Sequence, residues 1–392
     1  MKARKIVDNV YWMGFIDWSN RLFDSLIPLP DGTSYNSYFI KGSEKTALID
    51  TVEPIEIDEL MEQLKDVPTL DYLITLHSEQ DHSGAIPLVL KKYPNAKVIC
   101  SQKAVDILLK IVDVPKESII TVADGEKLSL GDKTLQFVYT PWVHWPETMV
   151  AYLEEDKILF SCDFFGAHIA TTDLFVTDKV RVYEAAKRYY AEIMMPFRKI
   201  ITKNLDKIEK YDIKMIAPSH GQIYKDPSFI IDAHRDWTTE KPKNLVVLPY
   251  VSMHGSTKKM VDHLTDILVE KGVPVEQYDM SVTDIGKLAI SLVDAATIII
   301  GSPTVLSGPH PASAAAAFLA NALRPKAKFV SIIASFGWGC RTLEILSDMV
   351  SNIKAEIIQP LLIKGYPKEA DFKLIEDMAD TIVQKHKEIG LL

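Results

Sequence analysis

The second half of the chain alternates between short apolar runs and stretches with apolar residues at helical spacing. A short apolar run is typical of a strand buried on both faces, whereas helical spacing indicates an amphipathic helix. The pattern predicts strands at residues 244–250, 273–279, 296–301, 328–335 and 356–363. It predicts helices at residues 258–271, 284–292, 312–323, 341–352 and 369–387. This alternation predicts a doubly wound, five-stranded parallel sheet with a ligand site at the carboxyl ends of its strands.

The first half arranges its strands and helices in separate groups. The pattern predicts strands at residues 33–40, 45–50, 70–76, 97–100, 134–140, 149–153 and 157–161. It predicts helices at residues 55–64, 85–92 and 102–111, and one interrupted helix at residues 181–209 that breaks near Pro196. This order predicts a four-layer α/β sandwich, with two sheets inside and helices outside.

A polar segment at residues 239–243 separates the two patterns and contains Pro242. Proline and polar residues between two periodic segments are typical of a linker. We therefore predict one domain at residues 1–243 and a second at residues 244–392.

Composition and charge exclude several classes of protein. A hydrophobic content of 47% and a charged content of 25% are ordinary for a soluble globular protein. The formal net charge of -9 argues against non-specific nucleic-acid binding. No apolar run approaches the length of a membrane span, and the N-terminus lacks the apolar core of a signal peptide. We therefore predict a cytoplasmic protein with no nucleic-acid and no membrane partner.

The three cysteines, Cys100, Cys162 and Cys340, lie far apart and never form a C-x-x-C pair. This spacing excludes a disulfide scaffold and a local tetracysteine iron site. We predict that all three are small buried residues.

The candidate chemistry is concentrated at residues 77–82, which read His-Ser-Glu-Gln-Asp-His directly after a predicted strand. In an extended loop alternate side chains face the same way, so His77, Glu79 and Asp81 would converge on one pocket. His82 would follow through a turn at Ser83 and Gly84. Imidazole and carboxylate ligands suit iron, manganese or zinc, and this ligand count favours two metals over one.

Three further candidates, His144, Asp163 and His220, each follow a predicted strand, which for His220 is the apolar segment beginning at residue 215. Scattered ligands can meet where several strands end on one rim of a sandwich. Each residue taken singly also fits a structural role, such as a helix cap or a hydrogen-bonded histidine. The complete order, His-x-Glu-x-Asp-His followed by His, Asp and His, resembles the metallo-β-lactamase fold in the variant found in flavodiiron proteins.

The glutamate in this order distinguishes the two branches of that fold. Lactamases, glyoxalase-type thioesterases and related hydrolases carry histidine where Glu79 stands here. An additional carboxylate contributes negative charge and a hard oxygen donor, which stabilise ferric iron. The residue therefore favours a redox iron pair over a hydrolytic zinc site.

The resemblance implies two irons per chain with an oxo or hydroxo bridge. It implies His77, Glu79 and His144 on one iron, Asp81, His82 and His220 on the other, and Asp163 between them. In some family members the residue at the position of His82 does not bind metal. We predict that His168 lies beside the site. Its role is either to support the ligands or purely structural, and the structural role is slightly favoured. The sequence identifies no catalytic residue beyond the ligands.

Three loops of the second half together resemble the flavin mononucleotide (FMN) site of flavodoxin. The first loop leads from a strand into a helix, whose N-terminus favours a phosphate. It contains neither a P-loop nor a G-x-G-x-x-G pattern, and a simple capped helix would look similar. Small residues in the other two loops allow close approach to a flat ring, on which Trp338 could stack. The predicted FMN-binding residues are Ser252, Met253, His254, Gly255, Ser256, Thr257, Ser302, Pro303, Thr304, Ser335, Phe336, Gly337, Trp338 and Gly339.

The resemblance to the flavodiiron family covers essentially the whole chain. It implies an oxidoreductase in which a soluble donor, rubredoxin or a reduced deazaflavin, passes electrons through FMN to the irons. The irons would reduce dioxygen to water, or nitric oxide to nitrous oxide, and the sequence does not separate these two activities. The resemblance also implies a head-to-tail homodimer or a dimer of dimers, with the flavin of one subunit against the irons of the other.

Two alternatives remain open at this level. The first is a dinuclear zinc hydrolase of thioesterase type with a regulatory flavodoxin module. The second is an electron carrier in which only the flavin works and the metal pocket is vestigial, although seven intact ligand candidates argue against it. Metal analysis distinguishes the first alternative from the redox reading.

Overall fold

The computed structural model describes residues 1–392 and divides into two compact units. The first unit comprises Met1–Tyr190 and Phe197–Thr238, and the second comprises Ala191–Pro196 and Thr239–Leu392. The main segment of the second unit begins within the polar segment at residues 239–243.

Nine strands of the first unit precede residue 123. They are β1 (Arg4–Val7), β2 (Val10–Asp17), β3 (Leu22–Phe23), β4 (Ile27–Pro28), β5 (Thr33–Lys41), β6 (Thr46–Ile49), β7 (Tyr72–Ile74), β8 (Lys97–Ser101) and β9 (Ile119–Val122). Seven of them form a mixed sheet in the order β1-β2-β5-β6-β7-β8-β9, and β3 pairs with β4 separately. The sheet is antiparallel from β1 to β6 and parallel from β6 to β9.

A second sheet of the same unit has five strands in sequential order. They are β10 (Lys127–Ser129), β11 (Thr134–Tyr139), β12 (Met149–Leu153), β13 (Ile158–Cys162) and β14 (Met215–Pro218). Only the last pair, β13 and β14, is parallel, because the chain crosses over through helices before it returns to the sheet.

Seven helices belong to the first unit. They are α1 (Ile57–Gln63), α2 (Gln80–Ser83), α3 (Ile86–Lys92), α4 (Ala104–Ile111), α5 (Lys179–Tyr189), α6 (Arg198–Ile208) and α7 (Pro227–Thr238). A π-helical turn at Tyr190–Met194 and a 3-10 turn at Met195–Phe197 separate α5 from α6. The predicted interruption near Pro196 is therefore confirmed.

The two sheets pack face to face over one apolar core, which includes Tyr38 and Ile49 from the first sheet and Phe137 and Phe160 from the second. The other face of the first sheet packs against α1, α3 and α4 through a separate buried cluster. The second sheet is also buried on its other face, and α5, α6 and α7 each bury an apolar side. The predicted sandwich of two sheets between helices is confirmed.

The second unit contains one sheet whose main strands run parallel, with helices between them. Its strands are β15 (Val246–Tyr250), β16 (Val275–Asp279), β17 (Thr297–Val305), β18 (Gly308–Pro309), β19 (Phe329–Phe336), β20 (Glu356–Ile357) and β21 (Leu361–Lys364). Its helices are α8 (Ser256–Glu270), α9 (Ile285–Leu292), α10 (Pro311–Leu323), α11 (Thr342–Met349) and α12 (Glu369–Glu388). The order β16-β15-β17-β19-β20, with β21 also on β19, confirms the predicted flavodoxin-like sheet.

The fifth strand of this sheet differs from the prediction of one continuous strand at residues 356–363. Two short strands, β20 and β21, pair with β19 on either side of a break that contains Pro360. Proline has no N–H to donate and is excluded from the middle of a ladder. No helix of either unit is long and apolar enough to cross a membrane.

Candidate functional site

The seven predicted metal-ligating side chains meet at one rim of the sandwich in the first unit. They come from four parts of the chain, of which the first, residues 77–82, supplies four side chains. His77 and Glu79 follow β7, Asp81 and His82 lie on α2, His144 lies between β11 and β12, Asp163 follows β13 and His220 follows β14. The donor atoms form two groups, each close enough to surround one ion: His77, Glu79, His144 and Asp163, and Asp81, His82 and His220.

The first group is centred on the carboxylate of Glu79. Its Oε2 lies 3.0 Å from His77 Nε2 and 3.1 Å from His144 Nε2. Two donors bound about 2.1 Å from one ion are roughly 3.0 Å apart when they meet at a right angle. These atoms therefore have the spacing of neighbouring ligands on a shared metal.

The second group is built in the same way around His220 and His82. Asp81 Oδ2 lies 3.2 Å from His220 Nε2, and Asp81 Oδ1 lies 3.5 Å from His82 Nε2. His82 Nε2 faces these carboxylates, while its Nδ1 faces Asp50 Oδ2 at 3.5 Å. The orientation of the ring therefore brings Nε2 of His82 into the second group.

Asp163 lies between the two groups and divides its oxygens between them. Oδ2 is 3.5 Å from His77 Nε2 and 3.6 Å from His144 Nε2. Oδ1 is 3.1 Å from His82 Nε2 and 3.3 Å from His220 Nε2. This is the arrangement of a carboxylate that bridges two metal positions.

The loop that carries the opening motif is not extended throughout, contrary to the prediction. Glu79 is extended, with φ −56° and ψ 147°, but Gln80–Ser83 forms a helical turn. The carbonyl of Glu79 accepts the backbone N–H groups of His82 at 3.0 Å and Ser83 at 2.9 Å, which starts that turn. Glu79 therefore faces the first group, whereas Asp81 and His82 turn toward the second.

Charge and burial make the cluster suited to cations. Burial lowers the pKa of His77 and of His220, but the neighbouring carboxylates outweigh burial and raise the pKa of both to about 9. Burial raises the pKa of Asp163, but the adjacent His82 and His220 outweigh burial and hold that pKa well below its usual range. Buried polar atoms normally have partners, yet both side-chain oxygens of Asp81, Oδ1 of Asp163 and Nε2 of His82 make only ionic contacts and no hydrogen bond of good geometry. Metal ions would satisfy all four atoms.

A cleft of about 260 Å³ lies in the second unit at the carboxyl ends of its strands. Eleven of the fourteen predicted FMN-binding residues line it: Ser252, Met253, His254, Ser256, Thr257, Pro303, Thr304, Ser335, Phe336, Gly337 and Trp338. Thr257 Oγ1 lies 3.1 Å from Ser335 Oγ, so the first and third loops are joined beneath the cleft. Trp338 is 84% exposed at its rim.

The other three predicted residues, Gly255, Ser302 and Gly339, do not line the cleft. Gly255 precedes α8 with a φ of +89°, a left-handed conformation that glycine adopts without strain. Ser302 is buried and its hydroxyl accepts the backbone N–H of His310 at 3.0 Å. Gly255 and Ser302 therefore affect the conformation of the loops, whereas Gly365, which the sequence analysis did not predict, lines the cleft directly.

Comparison with known proteins bears on both sites. The family described as ODP family beta lactamase matches residues 33–221. A nitric oxide reductase of Moorella thermoacetica is 38% identical over 90% of this chain and 90% of its own length. A coenzyme F420H(2) oxidase of Methanothermobacter marburgensis is 36% identical over 79% of each chain. The structure of rubredoxin oxygen:oxidoreductase from Desulfovibrio gigas is 31% identical, with a TM-score of 0.93 over 99% of both chains. The flavodiiron protein from Giardia intestinalis is 27% identical, with a TM-score of 0.93 over 99% of this chain and 98% of its own.

The chain belongs to the flavodiiron protein family. The family extends over both units, because these relatives and structures cover most or nearly all of the chain. This flavodiiron chain shares with them the predicted α/β architecture, a lactamase-like unit followed by a flavodoxin-like unit.

The sequence analysis of this flavodiiron chain did not predict the groups that contact the outer ring nitrogens of the histidine ligands, which point away from the cluster. Glu147 Oε1 lies 2.9 Å from His77 Nδ1, and the carbonyl of Ser34 lies 2.8 Å from His220 Nδ1. Asp50 ends a predicted strand, and an acidic residue at a strand end was a usable signal. Glu147 and Ser34 gave none, because their contacts join segments far apart in the chain.

His168 lies beside the second group without joining it. Its Nδ1 is 2.8 Å from Thr33 Oγ1, and its ring centre is 5.1 Å from that of His220. Burial and the nearby His220 hold the pKa of His168 well below its usual value, so the ring is neutral. It packs against His220 as a neutral aromatic ring.

Proposed function

We propose that this chain is a flavodiiron oxidoreductase that passes electrons through FMN to two irons and reduces dioxygen to water or nitric oxide to nitrous oxide. The observation that carries the proposal is the pair of ligand groups that share Asp163. Relatives named nitric oxide reductase and coenzyme F420H(2) oxidase support the reaction class.

In this proposal His77, Glu79 and His144 hold one iron, and Asp81, His82 and His220 hold the other. Each oxygen of Asp163 serves one iron, in keeping with its separation from the two groups. Glu79 favours iron over zinc because its carboxylate is a hard donor where hydrolytic relatives have an imidazole.

We place FMN in the cleft of the second unit. The N-terminus of α8 would receive the phosphate, since the first N–H groups of a helix have no partner within the helix and favour negative charge. Ser256 and Thr257 lie at that N-terminus, and Trp338 would pack on the flavin ring. The cofactors supply one-electron transfer when bound, and the protein supplies their position and surroundings.

The residues around the proposed metal positions exclude solvent from them on all sides but one. The side chains of His77, Asp81, Asp163 and His220 are at most 3% exposed, whereas that of His144 is 17% exposed. The opening therefore lies at His144 and the neighbouring Glu79, where a small gas molecule would enter. A dry, fixed set of charges strengthens the electrostatic interactions made inside it.

We further propose rubredoxin or a reduced deazaflavin as the electron donor, and a head-to-tail homodimer or a dimer of dimers as the working form. Family membership supports both proposals. If the dimer is needed, dilution to the monomer should abolish turnover while each chain keeps its flavin and iron. Undiminished turnover in monomers would contradict the assembly but not the reaction.

The deciding experiment is metal and flavin analysis of anaerobically purified protein, followed by measurement of gas consumption. We expect about two irons and one FMN per chain from the ligand count, and consumption of dioxygen or nitric oxide only when the flavin is reduced. The ratio of the two rates identifies the physiological gas. Zinc in place of iron, together with thioesterase activity, would reject the proposal in favour of a hydrolase.

A further inference from the structure

Glu147 is a buried carboxylate that belongs to neither ligand group. It lies between His144 and β12 and is 3% exposed. Its Oε1 is 2.9 Å from His77 Nδ1 and accepts the backbone N–H of Ser78 at 3.0 Å. A buried charge is costly unless hydrogen bonds compensate it, and both of these bonds go to the start of the metal-binding loop.

The contact with Glu147 determines which nitrogen of His77 carries the hydrogen. An ionised carboxylate only accepts hydrogen bonds, so Nδ1 of His77 must be the donor. Nε2, which lies 3.0 Å from Glu79 Oε2 and 3.5 Å from Asp163 Oδ2, is then the nitrogen that can lose its hydrogen and bind a metal ion between these carboxylates. The opposite tautomer would place a hydrogen on Nε2 and prevent metal binding there.

The ring of His77 is also held in its plane. The ring of Trp145 meets it edge to face, with centres 4.9 Å apart and an angle of 89°. Glu147 holds one end of the imidazole and Trp145 covers one side, so the ring has a single orientation. Pre-positioned ligands bind metal more tightly than ligands that must be ordered on binding.

The loop that carries Glu147, between β11 and β12, has an anchor that does not involve the carboxylate of Glu147. The backbone carbonyl of Glu147 accepts a hydrogen bond from Ser101 Oγ at 2.7 Å, which anchors the loop to the end of β8. The anchor and the carboxylate can therefore be removed separately, which allows a structural role to be distinguished from a positioning role.

We propose that Glu147 is a positioning residue that fixes the tautomer and orientation of His77 and so strengthens one of the two metal positions, that of His77, Glu79 and His144. The inference rests on the proposed metal site. Histidine ligands of metal sites commonly donate their second N–H to a carboxylate, and loss of that partner typically lowers metal affinity by about 10–100-fold.

The test compares Glu147→Ala, Glu147→Gln and Ser101→Ala in the full-length protein loaded with Fe(II) under anaerobic conditions. Iron release to a chromophoric chelator is followed over time. In Glu147→Ala we expect one iron per chain to leave about 10–100-fold faster and the other at the wild-type rate. Glu147→Gln should lie between, because its amide oxygen can still accept from His77 Nδ1 but carries no charge. Ser101→Ala should release both irons as the wild type does.

A second measurement reports the tautomer directly. Nitrogen NMR of histidine-labelled, zinc-loaded protein should show Nδ1 of His77 protonated in the wild type and its signal altered in Glu147→Ala. Equal release of both irons from Glu147→Ala and the wild type, or faster release from Ser101→Ala to the same degree as from Glu147→Ala, would overturn the proposal. If the wild type holds zinc but no iron, the redox function fails, and the zinc release rates of the same variants still decide the role of Glu147.

Discussion

Asp163→Asn replaces the carboxylate that faces both ligand groups with an amide of the same shape. The amide has one oxygen instead of two, so it can serve only one metal position, and its NH₂ group faces the other. The change also removes a negative charge from the centre of the cluster. Because the amide keeps the shape of the carboxylate and its oxygen can still accept from one of the neighbouring histidines, we expect the metal-free variant to fold as the wild type does.

The magnitude follows from the distances. Asp163 oxygens lie 3.1–3.6 Å from the histidine nitrogens of both groups, so the charge is within about 4 Å of any ion held there. At an effective dielectric constant of about 20, one unit charge at that distance contributes ~4 kcal/mol for each unit of charge on the ion. This corresponds to at least ~10³-fold in a binding constant. Since two positions share the charge, both should weaken.

The assay is anaerobic titration of the metal-free variant with Fe(II) in competition with a chelator. Flavin content and chemical reduction of the flavin should be unchanged, while consumption of dioxygen and nitric oxide should be lost. Asp226→Asn is the matched control, because Asp226 is a half-exposed carboxylate paired with Lys179 and lies away from the cluster. Affinities for both irons within tenfold of the wild type would refute the bridging assignment.

Three further predictions concern backbone, flavin and pH. Gly221→Ala should destabilise the protein and lower its iron content, because φ is +86° and a Cβ would lie 2.7 Å from the carbonyl oxygen of Ala167. The left-handed backbone alone costs roughly 1–2 kcal/mol in a residue with a side chain. A urea midpoint equal to that of the wild type would contradict this prediction. Thr257→Val keeps the shape of the side chain but removes the hydroxyl near the expected phosphate, and a hydrogen bond to a charged group is worth roughly 1.5–3 kcal/mol. Fluorescence titration should therefore show that FMN binds about 10–100-fold more weakly. Unchanged affinity would exclude this hydroxyl from phosphate binding. Burial lowers the pKa of His386 to about 4, so its neutral form stabilises the fold fully above the unfolded pKa, near 6.5, and the contribution is lost as pH falls toward 4. The urea midpoint should decrease over that range and decrease less in His386→Gln; an identical decrease in the variant would assign the effect to other groups.

The architecture of the second unit followed closely from its pattern, because a parallel sheet covered on both faces leaves long apolar runs in the sequence. The strand predicted at residues 328–335 is β19, Phe329–Phe336. The split of the last strand at Pro360 was visible in principle, since proline cannot donate to a ladder. The hairpin from β17 to β18 was not, because its two turn residues, Leu306 and Ser307, are not the asparagine and glycine that usually mark such a turn.

The first unit was less predictable where structure depends on distant contacts. Strands β1 and β2 were not predicted, although β2 runs antiparallel to β5 along its whole length. At Gly14 the backbone of β5 passes so close that a Cβ would meet the carbonyl oxygen of Tyr35 at 2.2 Å. Such an approach is a property of the assembled sheet. The assignment of FMN-contacting and metal-binding residues stays a prediction, as do the domain boundary and the cytoplasmic location.

The positions of the ligands along the chain have a consequence for biosynthesis. The first predicted ligand is His77 and the last is His220, and between them the chain adds β8 and β9 to the first sheet and forms the whole second sheet. During synthesis, the predicted ligands at residues 77–82 therefore leave the ribosome long before His144, Asp163 and His220 do. Tight binding of the proposed irons must await completion of β14, so metal would enter a nearly finished first unit and would then connect its late strands to its early ones.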